Sequence, residues 1–84
     1  MDLNSSRVKI NNIDKEIVHL LEKRFEIVTE IGQYKKENNL PVYDEGREKT
    51  VVENCISYLE NKNYSKGIED VYMQIMNSSK ELEK

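Results

Sequence analysis

At 84 residues, with 13 Lys and Arg against 16 Asp and Glu, the chain has room for one domain, 1–84, and a net charge of −3 that argues against a general nucleic-acid binder. Only 37% of its residues are hydrophobic, with one Phe and no Trp, so a lone monomer would bury too little and oligomerisation is the expected source of the missing core. No apolar run is long enough to span a membrane, and Cys55 is the only cysteine, which rules out a disulfide framework and suits a reducing cytoplasm.

Nothing at Met1-Asp2-Leu3-Asn4 resembles a signal peptide. From Ser5 to Asn38 the apolar residues Ile10, Ile13, Ile17, Leu20, Leu21, Ile27, Val28, Ile31 and Tyr34 recur in steps of three and four, the period of one long helix. Asn4, Ser5 and Ser6 are its candidate N-caps. Gly32 is the one glycine inside it, a residue that costs about 1 kcal/mol against alanine and permits close packing. Such a helix is about 50 Å long. The two shorter helices that follow cannot cover a stripe of that length, whereas a second copy of the long helix can, which predicts an intertwined homodimer.

Asn38-Asn39-Leu40-Pro41 ends the first helix, and Asp44 is positioned to cap a second, with Glu45 and Glu48 near its positive end. The apolar face of that second helix is Val51, Val52, Cys55, Ile56 and Leu59. Asn61 to Ser65 is a polar connector. The third helix begins near Ser65 or Lys66, with Ile68, Val71, Tyr72, Ile75, Met76 and Leu82 expected to face inwards. The fold class is all-α, three helices without repeats or linkers.

Arg24 and Lys35 fall on the apolar side of the first helix, eleven residues apart, hence about 16 Å along one face. For either cation alone, a snorkelling side chain with its head in water is the plain reading. Both together, with Arg7 and the Arg47-Glu48 pair, point to a pocket for a small polyanion, because cations on a buried stripe are costly unless an anion meets them. Arg7 lies about 25 Å from Arg24 along the helix and well round its face, so the two grip one small molecule only if Arg7 comes from an antiparallel second copy. Ser79 and Glu83 share one face of the third helix, but by pattern alone they read as the solvated, frayed end of Lys80-Glu81-Leu82-Glu83-Lys84. His19 reads as a surface residue with no ligand partners for a metal, and Cys55 as core filler with no base beside it. No glycine-rich phosphate loop and no Ser-His-Asp set is present, so covalent and metal chemistry are not expected.

Taken together, Arg7-Val8-Lys9-Ile10-Asn11-Asn12-Ile13-Asp14, Leu20-Leu21-Glu22-Lys23-Arg24, Ile31-Gly32-Gln33-Tyr34-Lys35 and Pro41-Val42-Tyr43-Asp44-Glu45-Gly46-Arg47-Glu48 resemble the all-helical, AroQ-type chorismate mutases in their short monofunctional form. The resemblance runs over essentially the whole chain; its C-terminal part needs a one-residue length change in the connector after the second helix. It implies a three-helix protomer that dimerises through its first helix and shares two active sites between subunits. The implied reaction is the cofactor-free rearrangement of chorismate to prephenate on the way to phenylalanine and tyrosine, by electrostatic stabilisation and preorganisation of a flexible dianion.

By that resemblance, Arg24, and Arg7 from the other subunit, pair with the substrate carboxylates. Lys35 reaches a carboxylate and the ether oxygen. Glu48 accepts from the ring hydroxyl, with the backbone near Asp44 assisting; Arg47 lines the pocket and Ser79 helps to bind a carboxylate. Glu83 stands where the best-known bacterial pattern has glutamine. A glutamate donates to the ether oxygen only when protonated, so turnover is expected to favour acidic pH and Glu83→Gln to flatten the profile. Two rival readings are an isochorismate pyruvate lyase of the same fold and a non-catalytic helical regulatory dimer, which would have no reason to keep Arg7, Arg24, Lys35, Arg47 and Glu48 at matching positions.

Overall fold

The computed structural model describes residues 2–84. Three helices follow in order: α1 over Leu3–Glu37, α2 over Glu45–Ser57 and α3 over Ser65–Glu83, with a 3-10 turn at Lys62–Tyr64 before α3. No strand occurs among the described residues, and no helix is long and apolar enough to cross a membrane.

α1 starts two residues earlier than the sequence pattern suggested, and its cap is Asp2 in place of Asn4, Ser5 or Ser6. One Asp2 oxygen accepts from the Asn4 N–H at 3.2 Å and the other from the Ser5 hydroxyl at 2.9 Å. A carboxylate satisfies two donors there and sits at the positive end of the helix dipole, which a serine or asparagine side chain does less well. At the other end the chain turns sharply. Asn39 takes a left-handed φ of 54°, a conformation asparagine tolerates, and the Leu40 N–H returns to the Lys35 carbonyl at 2.8 Å.

α2 begins where expected, with Asp44 Oδ1 accepting from the Arg47 N–H at 3.0 Å. Its last turn is closed by the Lys62 ammonium, which donates to the Ile56 and Ser57 carbonyls at 2.7 and 3.2 Å. The expected polar connector thus carries a 3-10 turn, started by the Asn61 side chain accepting from the Asn63 N–H.

α3 packs against both α1 and α2. The tightest apolar burial is Val28 of α1, 8% exposed, against Met76 of α3, 5% exposed. The protomer is a rod of 54 × 24 × 16 Å with a radius of gyration of 15.7 Å, where a compact chain of this length would have about 12 Å. The excess is the N-terminal half of α1, which no other element covers: Ile10, Ile13, Ile17 and Leu20 are 46–64% exposed. Val71 and Leu82, expected to face inwards, are 55% and 46% exposed. They flank the buried strip of α3 that carries Met76, Ser79 and Glu83, and Leu82 instead borders an open groove on α1 lined by Val18, Leu21 and Phe25.

Candidate active site

Helical spacing places Arg24, Val28, Ile31 and Lys35 along one face of α1, and Met76, Ser79, Lys80 and Glu83 along one face of α3. Asp44, Arg47, Glu48 and Val51 come from the start of α2, and Val42 from the turn before it. These thirteen side chains enclose a cavity of about 210 Å³. Seven of the eight site residues picked from the sequence lie on its wall. Arg7 does not: it is exposed near the far end of α1.

The end of α3 is far from frayed. Helical structure runs to Glu83, which is 7% exposed, and Ser79 is equally buried. The reason is Gly32. A Cβ built there would stand 2.7 Å from the Glu83 Cα and 2.9 Å from its carbonyl oxygen, so only glycine lets the end of α3 press onto α1 at this point. That contact sets Glu83 beside Lys35.

Arg24, Lys35 and Lys80 each have protein partners in the cavity. Arg24 Nη1 donates to Ser79 Oγ at 2.9 Å, and Ser79 Oγ donates on to the Ile75 carbonyl at 2.7 Å. The Arg24 guanidinium also lies over the Tyr72 ring, 5.9 Å from its centroid. Burial, and then the neighbouring Cys55, push the Tyr72 phenol above its ordinary range, with Arg24 opposing, so the ring stays neutral beneath its cation. Lys35 Nζ donates to the Val42 carbonyl at 2.9 Å and lies 2.6 Å from Glu83 Oε1. That oxygen is fully enclosed and receives no well-directed hydrogen bond, although it is at ion-pair distance. The distance governs the electrostatics; the poor angle leaves Oε1 short of a donor. Lys80 Nζ is 3.0 Å from Glu48 Oε2 and 4.7 Å from the centroid of the Tyr43 ring.

Four cations (Arg24, Lys35, Arg47, Lys80) and three carboxylates (Asp44, Glu48, Glu83) therefore line one cavity, a surplus of one positive charge with all groups ionised. The chain as a whole carries −3. Positive charge has been gathered into a concave site on an acidic protein, which focuses the field on an incoming anion. No cluster of His, Cys, Asp or Glu suited to a metal occurs among the described residues, and His19 is on the surface. Cys55 is half-buried beside Tyr72, outside the cavity wall.

Lys80, Tyr43 and Tyr72 were not legible as site residues. Each owes its place to α3 packing on α1 or α2, and Lys80 sits in a run of charged residues that reads as solvated surface. The one available signal was that Lys80 follows Ser79 and lies four residues after Met76, on the same side of the helix.

Residues 6–84 match the family model described as chorismate mutase type II. The chain is 52% identical over 52 residues to a bifunctional chorismate mutase/prephenate dehydratase of Buchnera aphidicola subsp. Schizaphis graminum, covering 62% of this chain and 14% of that protein. It is 33% identical over 79 residues to the T-protein of Enterobacter agglomerans, covering 93% and 21%. A bifunctional chorismate mutase/prephenate dehydratase of Aquifex aeolicus is 30% identical over 89 residues, covering 99% and 24%. The chain thus spans a quarter or less of the length of these curated relatives. Among solved structures, a conserved hypothetical protein from Pyrococcus furiosus superposes with a TM-score of 0.80 at 33% identity, over 98% of this chain and 95% of that one.

Proposed function

The chain belongs to the chorismate mutase type II family, and from that premise we propose that residues 1–84 act as a single domain that rearranges chorismate to prephenate. The observation that carries the reading is the convergence of Arg24 and Lys35, three helical turns apart, on one cavity with a surplus of positive charge. The proposed reaction breaks one C–O bond and forms one C–C bond within one molecule, so it needs no nucleophile. It needs the substrate held in its folded reactive form and the charge on the ether oxygen offset as the C–O bond opens.

Arg24 supplies a planar fork for one substrate carboxylate, already aimed by Ser79 and Tyr72. Ser79, whose hydroxyl accepts from Arg24, assists at that carboxylate. Lys35 reaches the other side of the ligand and the ether oxygen. Glu48 accepts from the ring hydroxyl beside the backbone of Asp44, and Arg47 balances these acids. Arg7 of a second copy completes the set and brings the surplus to two, matching a dianion. The uncovered apolar half of α1 supports an intertwined homodimer that brings Arg7 there. A cytoplasmic setting agrees with the single thiol.

Glu83 acts on the ether oxygen through Lys35 and through its own proton. Ionised, it neutralises the ammonium 2.6 Å away; protonated, it frees that charge and gains a donor. The groups facing the same cavity are Arg24 and Lys35 from α1, Asp44, Arg47 and Glu48 from α2, and Lys80 from α3. A carboxyl donates only in its protonated form, so this role of Glu83 carries the expectation that turnover rises towards acidic pH.

The test is a purified-protein assay with chorismate from acid to neutral pH, with isochorismate and pyruvate release followed in parallel. Prephenate formed fastest in acid supports the reading. Pyruvate from isochorismate without prephenate replaces it with the lyase, and no turnover by a folded dimer replaces it with a non-catalytic module.

A further inference from the structure

We propose that Lys80 is a positioning residue for Glu48: its ammonium, seated on the Tyr43 ring, holds one carboxylate oxygen so that the other is presented to the ligand hydroxyl. The inference rests on the role given above to Glu48 and adds a residue that role does not include.

Glu48 lies in the first turn of α2 and Lys80 in the last turn of α3, so their contact ties the two helices across the cavity. Lys80 Nζ stands 3.0 Å from Glu48 Oε2, and both side chains are about three-quarters buried or more, at 25% and 21% exposure. Among the described residues, no hydrogen-bond donor reaches Glu48 Oε1. A lysine normally gives a loose contact, because its four-carbon stem is free to swing. This one is confined by the Tyr43 ring, whose centroid is 4.7 Å from the ammonium. The Tyr43 backbone lies between two anchored neighbours, Val42, which accepts from Lys35, and Asp44, which caps α2, while Tyr43 itself is 55% exposed.

The pairing resolves a conflict in the site. A hydroxyl is best read by a charged acceptor. That charge repels the carboxylates of a dianionic ligand in the same cavity of about 210 Å³. A cation on the far oxygen of Glu48 cancels the net charge while leaving an acceptor. Neither Arg24 nor Lys35 makes this contact, since Arg24 is bonded to Ser79 and Lys35 to Val42 and Glu83.

The experiment compares Lys80→Met, Lys80→Arg and Glu48→Gln, singly and with Lys80→Met added to Glu48→Gln. Lys80→Met is expected to lower kcat/KM roughly 10- to 100-fold, and Lys80→Arg to restore most of it. In the Glu48→Gln background the same Lys80→Met change is expected to cost less than about threefold. Equal losses in the two backgrounds, or none in either, overturn the proposal. Side-chain 13C relaxation of Glu48, measured without substrate, decides the same point independently. Loss of order at Glu48 in Lys80→Met supports it, and order equal to wild type refutes it. Should the wild-type protein not turn over chorismate, the functional reading falls while the relaxation measurement still judges Lys80.

Discussion

Replacing Gly32 with alanine tests how far the site depends on one backbone crossing. The new methyl carbon would stand 2.7 Å from the Glu83 Cα, and the closest atoms around it are backbone, so no side chain can swing aside. Bringing the contact out to 3.4 Å, the inner edge of ordinary van der Waals packing, moves the end of α3 by about 0.7 Å. Overpacking of this kind costs about 1–3 kcal/mol, and the better helix propensity of alanine returns about 1 kcal/mol. The net change in urea unfolding is therefore expected to lie between about zero and 2 kcal/mol. Chorismate turnover should fall far more, roughly 10- to 100-fold, because a displacement near 1 Å spoils the geometry between Lys35 and Glu83. Gly67 is the control: nothing lies within 4 Å of a Cβ there, so Gly67→Ala should keep full activity and gain up to about 1 kcal/mol. A Gly32→Ala protein as active as wild type and more stable would refute the reasoning, since it would mean that the crossing does not set the site.

Glu83→Gln should flatten the pH profile, with the largest gain over wild type at neutral pH; an unchanged profile removes Glu83 from the mechanism. Arg24→Ala deletes both the carboxylate fork and the partner of Ser79, and kcat/KM should drop at least about 100-fold, with little recovery in Arg24→Lys. Arg7→Ala and Arg24→Ala proteins, each inactive alone, should regain roughly a quarter of wild-type activity when unfolded together and refolded, because half of the dimers would carry one intact site of two. Failure of that mixture to recover, with mixed dimers shown by mass, would sink the shared site. Ile13→Glu should weaken dimerisation and make specific activity depend on protein concentration, followed by sedimentation and assay across a dilution series.

The helices were legible because each announces itself locally. The three-four spacing from Ile10 to Tyr34, the break at Asn38-Asn39-Leu40-Pro41 and the cap at Asp44 are all written within a few residues. The cap of α1 was misplaced because Asp2, Asn4, Ser5 and Ser6 are all competent, and the choice turns on which side chain reaches two donors. The pocket was partly legible, since Arg24 and Lys35 share a face by period alone. The order at Ser79 and Glu83 was not, because it follows from Gly32 meeting Glu83 across a separation of about fifty residues in sequence. Lys80 and Tyr43 escaped for the same reason. Val71 and Leu82 show the opposite limit: an apolar residue at helical spacing need not find cover within its own chain.

The turn after α1 has a bearing on how such a site can change. Lys35 is gripped at both ends by the chain that follows it: its carbonyl receives the Leu40 N–H, and its ammonium reaches the Val42 carbonyl. Both anchors lie within seven residues, so the aim of this cation is a property of tether length. Lysine rotamers carry about 2 kcal/mol of entropy, and here most of that freedom is gone once the turn has formed, before a ligand docks. Adding or removing one residue between Asn38 and Val42 would re-aim the ammonium with every wall residue intact. Conversely, the Lys35–Val42 segment would carry its orientation with it if spliced onto the end of another helix.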